Sequence, residues 1–222
     1  MARTFFITGT DTGAGKTVLT VLLAQFLRQR GVNAAALKPV CSGGRDDARK
    51  IFEAMDGALS LDETNPWHFC APIAPLLAAR RENKKVKLPQ VLSCVRSMQK
   101  RFDVLLVEGA GGLLSPLGEN FNSRDLILAL RAAPIIVVQN KLGVVNQILL
   151  ALEALPTHFR NKTKVVLMSP KKPNAATASN VKLLAEFFDS KRIFSLPWFG
   201  KGFGAGHEKP AVRKMLGAMA EI

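Results

Sequence analysis

GTDTGAGKT, residues 9–17, decides how the fold is read. It follows a short apolar run, FFITG (5–9), and opens an amphipathic stretch, 16–30, that Gly31 closes. Strand, glycine-rich turn and helix in that order make a phosphate cradle. The commonest spacing is G-x-x-x-x-G-K-[ST]. Here Gly9 and Gly15 are separated by five residues, so the loop is one residue longer. Glycines such as Gly13 and Gly15, with Ala14 between them, let backbone N–H groups turn inward around phosphate oxygens. The helix that follows adds the partial positive charge of its N-terminus. Lys16 neutralises the terminal phosphates, and the Thr17 hydroxyl is suited to Mg²⁺.

Outward from the loop, short apolar runs alternate with longer amphipathic ones. Strands are predicted at 5–9, 34–40, 104–107, 135–138, 165–168 and 194–196. Helices are predicted at 16–30, 46–55, 88–101, 144–155 and 180–188, and loops at 56–65 and 170–177. Strands apolar throughout are buried on both faces, which belongs to a parallel sheet covered by helices. The expected fold is α/β, a doubly wound and mainly parallel sheet between two helical layers, formed by 1–222 as a single P-loop NTPase-like domain. In such sheets ligands bind beyond the carboxyl ends of the strands.

The bulk numbers narrow the class. A chain of 222 residues, 48% hydrophobic, holds one good core. The longest apolar stretch, 126–138, is too short for a membrane span and contains Arg131 and Pro134. The first ten residues lack the basic start and apolar segment of a signal peptide, so a cytoplasmic protein is expected. Cys41, Cys70 and Cys94 share no ligand spacing and are odd in number, which excludes a disulfide framework. His68, His158 and His207 are too scattered for a metal cluster. The net charge of +14 attracts polyanions, but no basic run is interleaved with aromatics and no zinc-finger or helix-turn-helix pattern occurs. Neither nucleic acid nor membrane is expected as a partner.

Polar groups follow several predicted strands. Lys38 and the loop 41–47 follow the second, Glu108-Gly109-Ala110-Gly111-Gly112 the third, and Asn140-Lys141-Leu142-Gly143 the fourth. All belong on the same sheet edge as the loop at 9–17. Thr17, Glu108 and one of Asp46 or Asp47 offer three oxygens to Mg²⁺. A structural salt bridge is the plainer reading of Glu108. Lys38, before Pro39 at a strand end, is suited to anionic ligand groups. Phosphoryl transfer needs little more than such positioning and charge neutralisation.

GTDTGAGKT (9–17), KPVCSG (38–43), VEGAGG (107–112) before Pro116-Leu117, and KLGVVN (141–146) together resemble the dethiobiotin synthetase family. The resemblance covers roughly residues 4–155 in order. It implies conversion of 7,8-diaminononanoate, CO₂ and ATP into dethiobiotin, ADP and phosphate, through a carbamate and a carbamic-phosphoric anhydride. It implies nucleotide contacts from Gly13, Ala14, Gly15, Lys16, Thr17 and Val18, and Mg²⁺ on Thr17, Asp47 and Glu108. Asp47 is preferred to Asp46 because Asp47-Ala48 fits the family's helix start. Lys38 then stabilises the carbamate and the phosphoryl group in flight, beside Thr12 and Ser42. The family works as a homodimer, and Gly143, Val144, Val145 and Asn146 match the helix start that holds the substrate carboxylate for the other subunit.

The last third departs from that pattern. Ser169-Pro170 stands where the family commonly has an asparagine for adenine. Serine lacks the amide's paired donor and acceptor. Pro197-Trp198 matches the loop near the base, but Gly202 to Gly206 follow in place of an acid. A pocket accepting several nucleoside triphosphates is the expectation. The rival within the same fold is a partition or division-site switch ATPase acting on DNA or membrane. Its signature lysine position holds Asp11 here, and no C-terminal amphipathic membrane helix is expected.

Overall fold

The computed structural model describes residues 2–200, 206 and 208–220. The departure at 202–205 and His207 therefore lie outside the described residues. In chain order the elements are β1 (Arg3–Gly9), α1 (Lys16–Gln29), β2 (Ala34–Leu37), β3 (Val40–Ser42), α2 (Asp46–Ala54), α3 (Leu61–Thr64), β4 (Trp67–Phe69), α4 (Pro75–Arg81), α5 (Leu88–Gln99) and β5 (Val104–Glu108). The second half adds β6 (Pro116–Gly118), β7 (Phe121–Asn122), α6 (Ser123–Leu130), β8 (Ala133–Gln139), α7 (Val144–Glu153), α8 (Thr157–Arg160), β9 (Lys164–Met168), α9 (Ala175–Ala185), β10 (Ile193–Leu196) and α10 (Pro210–Ala220).

Six strands form one sheet in the order β2-β5-β1-β8-β9-β10. Every adjacent pair is parallel. The chain moves outward from β1 to β2, returns through β5, and then builds on the other side of β1. Right-handed crossovers put α1 on one face and α5, α6, α7 and α9 on the other. The packing agrees, since α1 meets α2 and α10, α5 meets α6, and α7 meets α9. The order of the strands reverses about β1, so the loop after β1 opens at the switch point, where ligands bind.

The apolar strands bury as their composition requires. Phe6, Ile7, Leu105, Leu106, Val107 and Ile135 to Val138 are all shielded from solvent. Between sheet and α1 lie Leu19, Leu22 and Leu23, also fully buried. On α5 Val91, Val95 and Met98 are buried, while Leu92 stays partly exposed.

Three expectations change. The run 34–40 is two strands, because the chain turns out of the main sheet at Lys38-Pro39 and Val40–Ser42 pairs instead with Trp67–Phe69. Proline lacks the N–H that a central strand needs. The loop at 56–65 contains one helical turn, α3, begun by a capping box from Ser60 and Glu63. The loop at 170–177 ends early, because α9 starts at Ala175 under a cap from Asn174. A C-terminal helix, α10, is also present. Its Val212, Leu216 and Met219 are buried, so its apolar face is already used within the chain. Among the described residues no helix is long and apolar enough to cross a membrane.

Candidate functional site

The phosphate loop is built by two left-handed glycines. Gly13 has φ +72° and Gly15 φ +101°, a region costly for residues with a side chain. A Cβ at Gly13 would meet nothing within 4 Å, so this turn faces open space. Gly15 caps α1 with no side-chain partner, leaving the first N–H groups of the helix free for an anion. The second glycine-rich loop, after β5, packs against the first. A Cβ on Gly112 would lie 3.0 Å from the Thr10 carbonyl oxygen, so a side chain here would push the two loops apart. Lys16 ties the loops together: its Nζ donates to the Asp11 carbonyl at 2.9 Å and the Gly111 carbonyl at 2.8 Å. Burial, and then the Lys38 ammonium nearby, push the Lys16 amine down to about 8, against the pull of Glu108, Asp47 and Asp11.

Beside the loop four side chains converge. Lys38 Nζ donates to Glu108 Oε1 at 2.6 Å and to Asp47 Oδ2 at 3.1 Å. Thr17 Oγ1 donates to the same Glu108 Oε1 at 2.7 Å. Lys38 is 5% exposed and Glu108 1%. Burial disfavours a charged lysine, but Glu108 and Asp47 outweigh it and hold the amine above its ordinary value. Burial likewise disfavours the Asp47 carboxylate, and Lys38 outweighs it to hold the group below its usual range. Asp46 pairs instead with Arg49, its Oδ1 3.4 Å from that guanidinium on an exposed surface. Asp47, not Asp46, therefore shares the cluster with Thr17 and Glu108. Glu108 is in a salt bridge, as the plainer reading has it, and that bridge lies beside the phosphate loop.

The donor set suits a hard divalent cation. Thr17 Oγ1, Glu108 Oε1 and Asp47 Oδ2 are all oxygens, as Mg²⁺ requires. The ammonium of Lys38 already sits between the two carboxylates, so this position is built to hold positive charge. No group of three or more His, Cys, Asp or Glu that could hold a metal ion by themselves occurs among the described residues.

Two clefts meet at Gly13. One, of about 570 Å³, is lined by Thr12, Lys16, Lys38, Ser42, Asp47 and Ala110, and closed by the 72–75 segment. Ser42 Oγ donates to the Ile73 carbonyl at 2.6 Å, fixing that wall. The other, of about 440 Å³, is lined by Gly15, Val18, Met168, Ser169, Pro197 and Trp198. Ser169 Oγ lies 3.4 Å from Ser195 Oγ, and Lys171 Nζ stands 5.5 Å from the Trp198 ring centroid. The loop at 9–17 thus has an anion-binding turn with one cleft on either side.

The sequence-predicted residues divide accordingly. Thr12, Lys16, Thr17, Lys38, Ser42, Asp47 and Glu108 come together, while Val18, Ser169 and Pro197 share the second cleft. Gly143, Val144, Val145 and Asn146 line neither cleft of their own chain. They begin α7, and Leu142 before them is 84% exposed. Cys41 is buried, with Sγ 3.2 Å from both Gly44 O and Asn65 Oδ1 and one S–H to give to either, a packed thiol rather than a nucleophile. Sequence reasoning missed Asn65, whose Nδ2 donates to the Lys38 carbonyl at 2.6 Å, and the wall at Ile73. It also missed Thr20, a polar residue inside the apolar run of α1. That misplaced hydroxyl was the available signal.

Comparison with known proteins fits this geometry. The family model described as an AAA domain matches residues 3–201. An ATP-dependent dethiobiotin synthetase from Anaeromyxobacter sp. (strain Fw109-5) is 41% identical over 169 residues, covering 74% of this chain and 76% of that one. Another, from Akkermansia muciniphila, is 36% identical over 189 residues, 85% of this chain and 89% of that one. Among solved structures, a ParA family ATPase from Chlorobium tepidum TLS superposes with a TM-score of 0.58 at 12% identity, covering 97% of this chain and 96% of that one. That likeness concerns the fold alone. Sequence identity over most of both chains carries the kinship, and this chain belongs to the ATP-dependent dethiobiotin synthetase family.

Proposed function

We propose that the protein joins CO₂ to 7,8-diaminononanoate and closes a cyclic urea at the expense of ATP, giving dethiobiotin, ADP and phosphate. One observation carries this reading beyond kinship. A buried ammonium, Lys38, lines a cleft of about 570 Å³ that opens beside a phosphate loop. A switch ATPase that only hydrolyses ATP has no use for a second cleft with a buried cation.

The chemistry follows from what each residue can stabilise. One amine of the substrate adds its lone pair to CO₂ and sheds a proton, leaving a carbamate. Lys38 holds that anion, with Thr12 and Ser42 beside it. A carbamate oxygen then attacks the γ-phosphorus. The bond to the bridging oxygen breaks, and ADP leaves with the electron pair. Lys16 and the N–H groups of Gly13 to Val18 bear the phosphate charge. The second amine attacks the carbonyl carbon of the mixed anhydride, phosphate departs, and loss of a proton completes the ring. Thr17, Asp47 and Glu108 would hold Mg²⁺, which when bound neutralises phosphate charge. Ser169 and Pro197 flank the nucleoside. We further take 1–222 as one domain, working as a homodimer in which 143–146 serve the partner's cleft.

The test is direct: supply 7,8-diaminononanoate, bicarbonate, Mg²⁺ and ATP, and follow dethiobiotin and phosphate. One phosphate per dethiobiotin is expected. ATP hydrolysis without dethiobiotin overturns the reading.

A further inference from the structure

Glu108 is held on both oxygens by one face of α1. Thr17 and Thr20, three residues apart, are neighbours on that face. Thr17 donates to Oε1 at 2.7 Å, and Thr20 Oγ1 lies 2.7 Å from Oε2. The two oxygens differ in their surroundings. Oε1 also receives Lys38 at 2.6 Å. Among the described residues, Thr20 is the sole side-chain donor to Oε2.

Thr20 is fully buried, and its hydroxyl has a choice. The Lys16 carbonyl, one turn back, lies 2.9 Å away and is the usual partner of a helical threonine. A hydroxyl has one proton, and a carboxylate is the stronger acceptor. The proton therefore goes to Glu108. No solvent reaches Thr20 to replace it, at 0% exposure.

We propose that Thr20 is a positioning residue that fixes the Glu108 carboxylate in the rotation that presents Oε1 to Thr17 and Lys38. The inference rests on the reading of Glu108 as a Mg²⁺ ligand. A hydroxyl behind a ligating carboxylate tunes metal affinity without touching metal or substrate. Without it, Oε2 is a buried acceptor lacking a donor, and the carboxylate can rotate to share Lys38 between its two oxygens. The loss falls on the metal, not on the phosphate loop.

The experiment compares Thr20→Val, Thr20→Ala, Thr20→Ser and Glu108→Gln, with Mn²⁺ as the probe. Mn²⁺ binding is read by electron paramagnetic resonance in the presence of ADP. Metal-free ADP binding is read in parallel by Trp198 fluorescence. Thr20→Val and Thr20→Ala should weaken Mn²⁺ binding about 10- to 100-fold while metal-free ADP binding stays within about twofold, and Thr20→Ser should restore Mn²⁺ binding. Valine keeps the volume and alanine avoids a clash, so failure of one to fold leaves the other to decide. Wild-type Mn²⁺ affinity in both, with affinity lost in Glu108→Gln, overturns the role of Thr20 alone. Unchanged affinity in Glu108→Gln overturns the reading of Glu108 itself. Equal weakening of Mn²⁺ and metal-free ADP binding marks general damage to α1 and also overturns the proposal.

Discussion

Lys38 is a buried cation at the edge of the cleft. It is buried between Glu108 and Asp47, so removing it leaves a carboxylate buried without its cation. Breaking a buried pair costs roughly 3–5 kcal/mol, and the open cleft beside Asp47 reduces that toward the lower end. Lys38→Ala should therefore lower the melting temperature and reduce the rate of dethiobiotin formation by at least about 10²-fold, the scale of one preorganised electrostatic contact. Lys16→Ala should cost a similar factor in rate with less effect on melting, since its Nζ partners are neutral carbonyls. Wild-type turnover in either variant would mean the site has been misassigned. Cysteine behaviour offers an independent check. Burial pushes the Cys41 thiol up, against the pull of Lys38 and Asn65, while Cys70 is exposed. Native protein treated with iodoacetamide near pH 7.5 should label Cys70 first and Cys41 last, with all three reacting after denaturation. Rapid alkylation of Cys41 would contradict its structural role.

The corner between β2 and β3 shows what local sequence can and cannot say. Lys38-Pro39 announces that a strand ends, yet the apolar run continues through Val40-Cys41 and reads as one element. The partner that draws β3 away is Trp67–Phe69, more than twenty residues later, and no local pattern encodes that pairing. The strands were legible because burial on both sheet faces makes a short run apolar throughout, and α1 because a longer apolar run follows the glycine-rich turn. Asp47 could be chosen over Asp46 only by resemblance, because adjacent helical residues point in different directions. Thr20 and Asn65 were hidden because their partners lie far away in sequence. Asn65 makes the corner a unit: it is fully buried and spans from the Lys38 carbonyl to the Cys41 thiol. Asn65→Ala should destabilise by about 1–3 kcal/mol, the cost of leaving buried polar groups unpaired, and should lower activity through a loosened Lys38. Unaltered denaturant unfolding would show that the corner is held by its backbone bonds alone.

The sheet order gathers the site, and it also leaves something out. Loops after β1, β2 and β5 converge at the switch point, but the start of α7 after β8 does not reach the cleft beside Lys38 in its own chain. Its N-terminal N–H groups follow Gly143, which has φ +84° and no side-chain cap. Leu142 precedes this end and Leu150 lies about two turns along the helix, with 84% and 63% of their surfaces exposed. An anion-ready helix start with exposed leucines before it and along its helix suits a second copy of the chain better than open water. In a twofold dimer each cleft would take Lys38 from one subunit and Gly143 to Asn146 from the other. Subunit mixing separates this from a complete site within each chain. Lys38→Ala removes one half, and Gly143→Val removes the other by forcing a β-branched residue into the left-handed region. Each homodimer should be nearly inactive. Equal mixing with exchange makes half the dimers mixed, each with one intact site and one doubly damaged, so activity should return to roughly a quarter of wild type. If each cleft were complete within one chain, the mixture would show only the average of the two inactive parents.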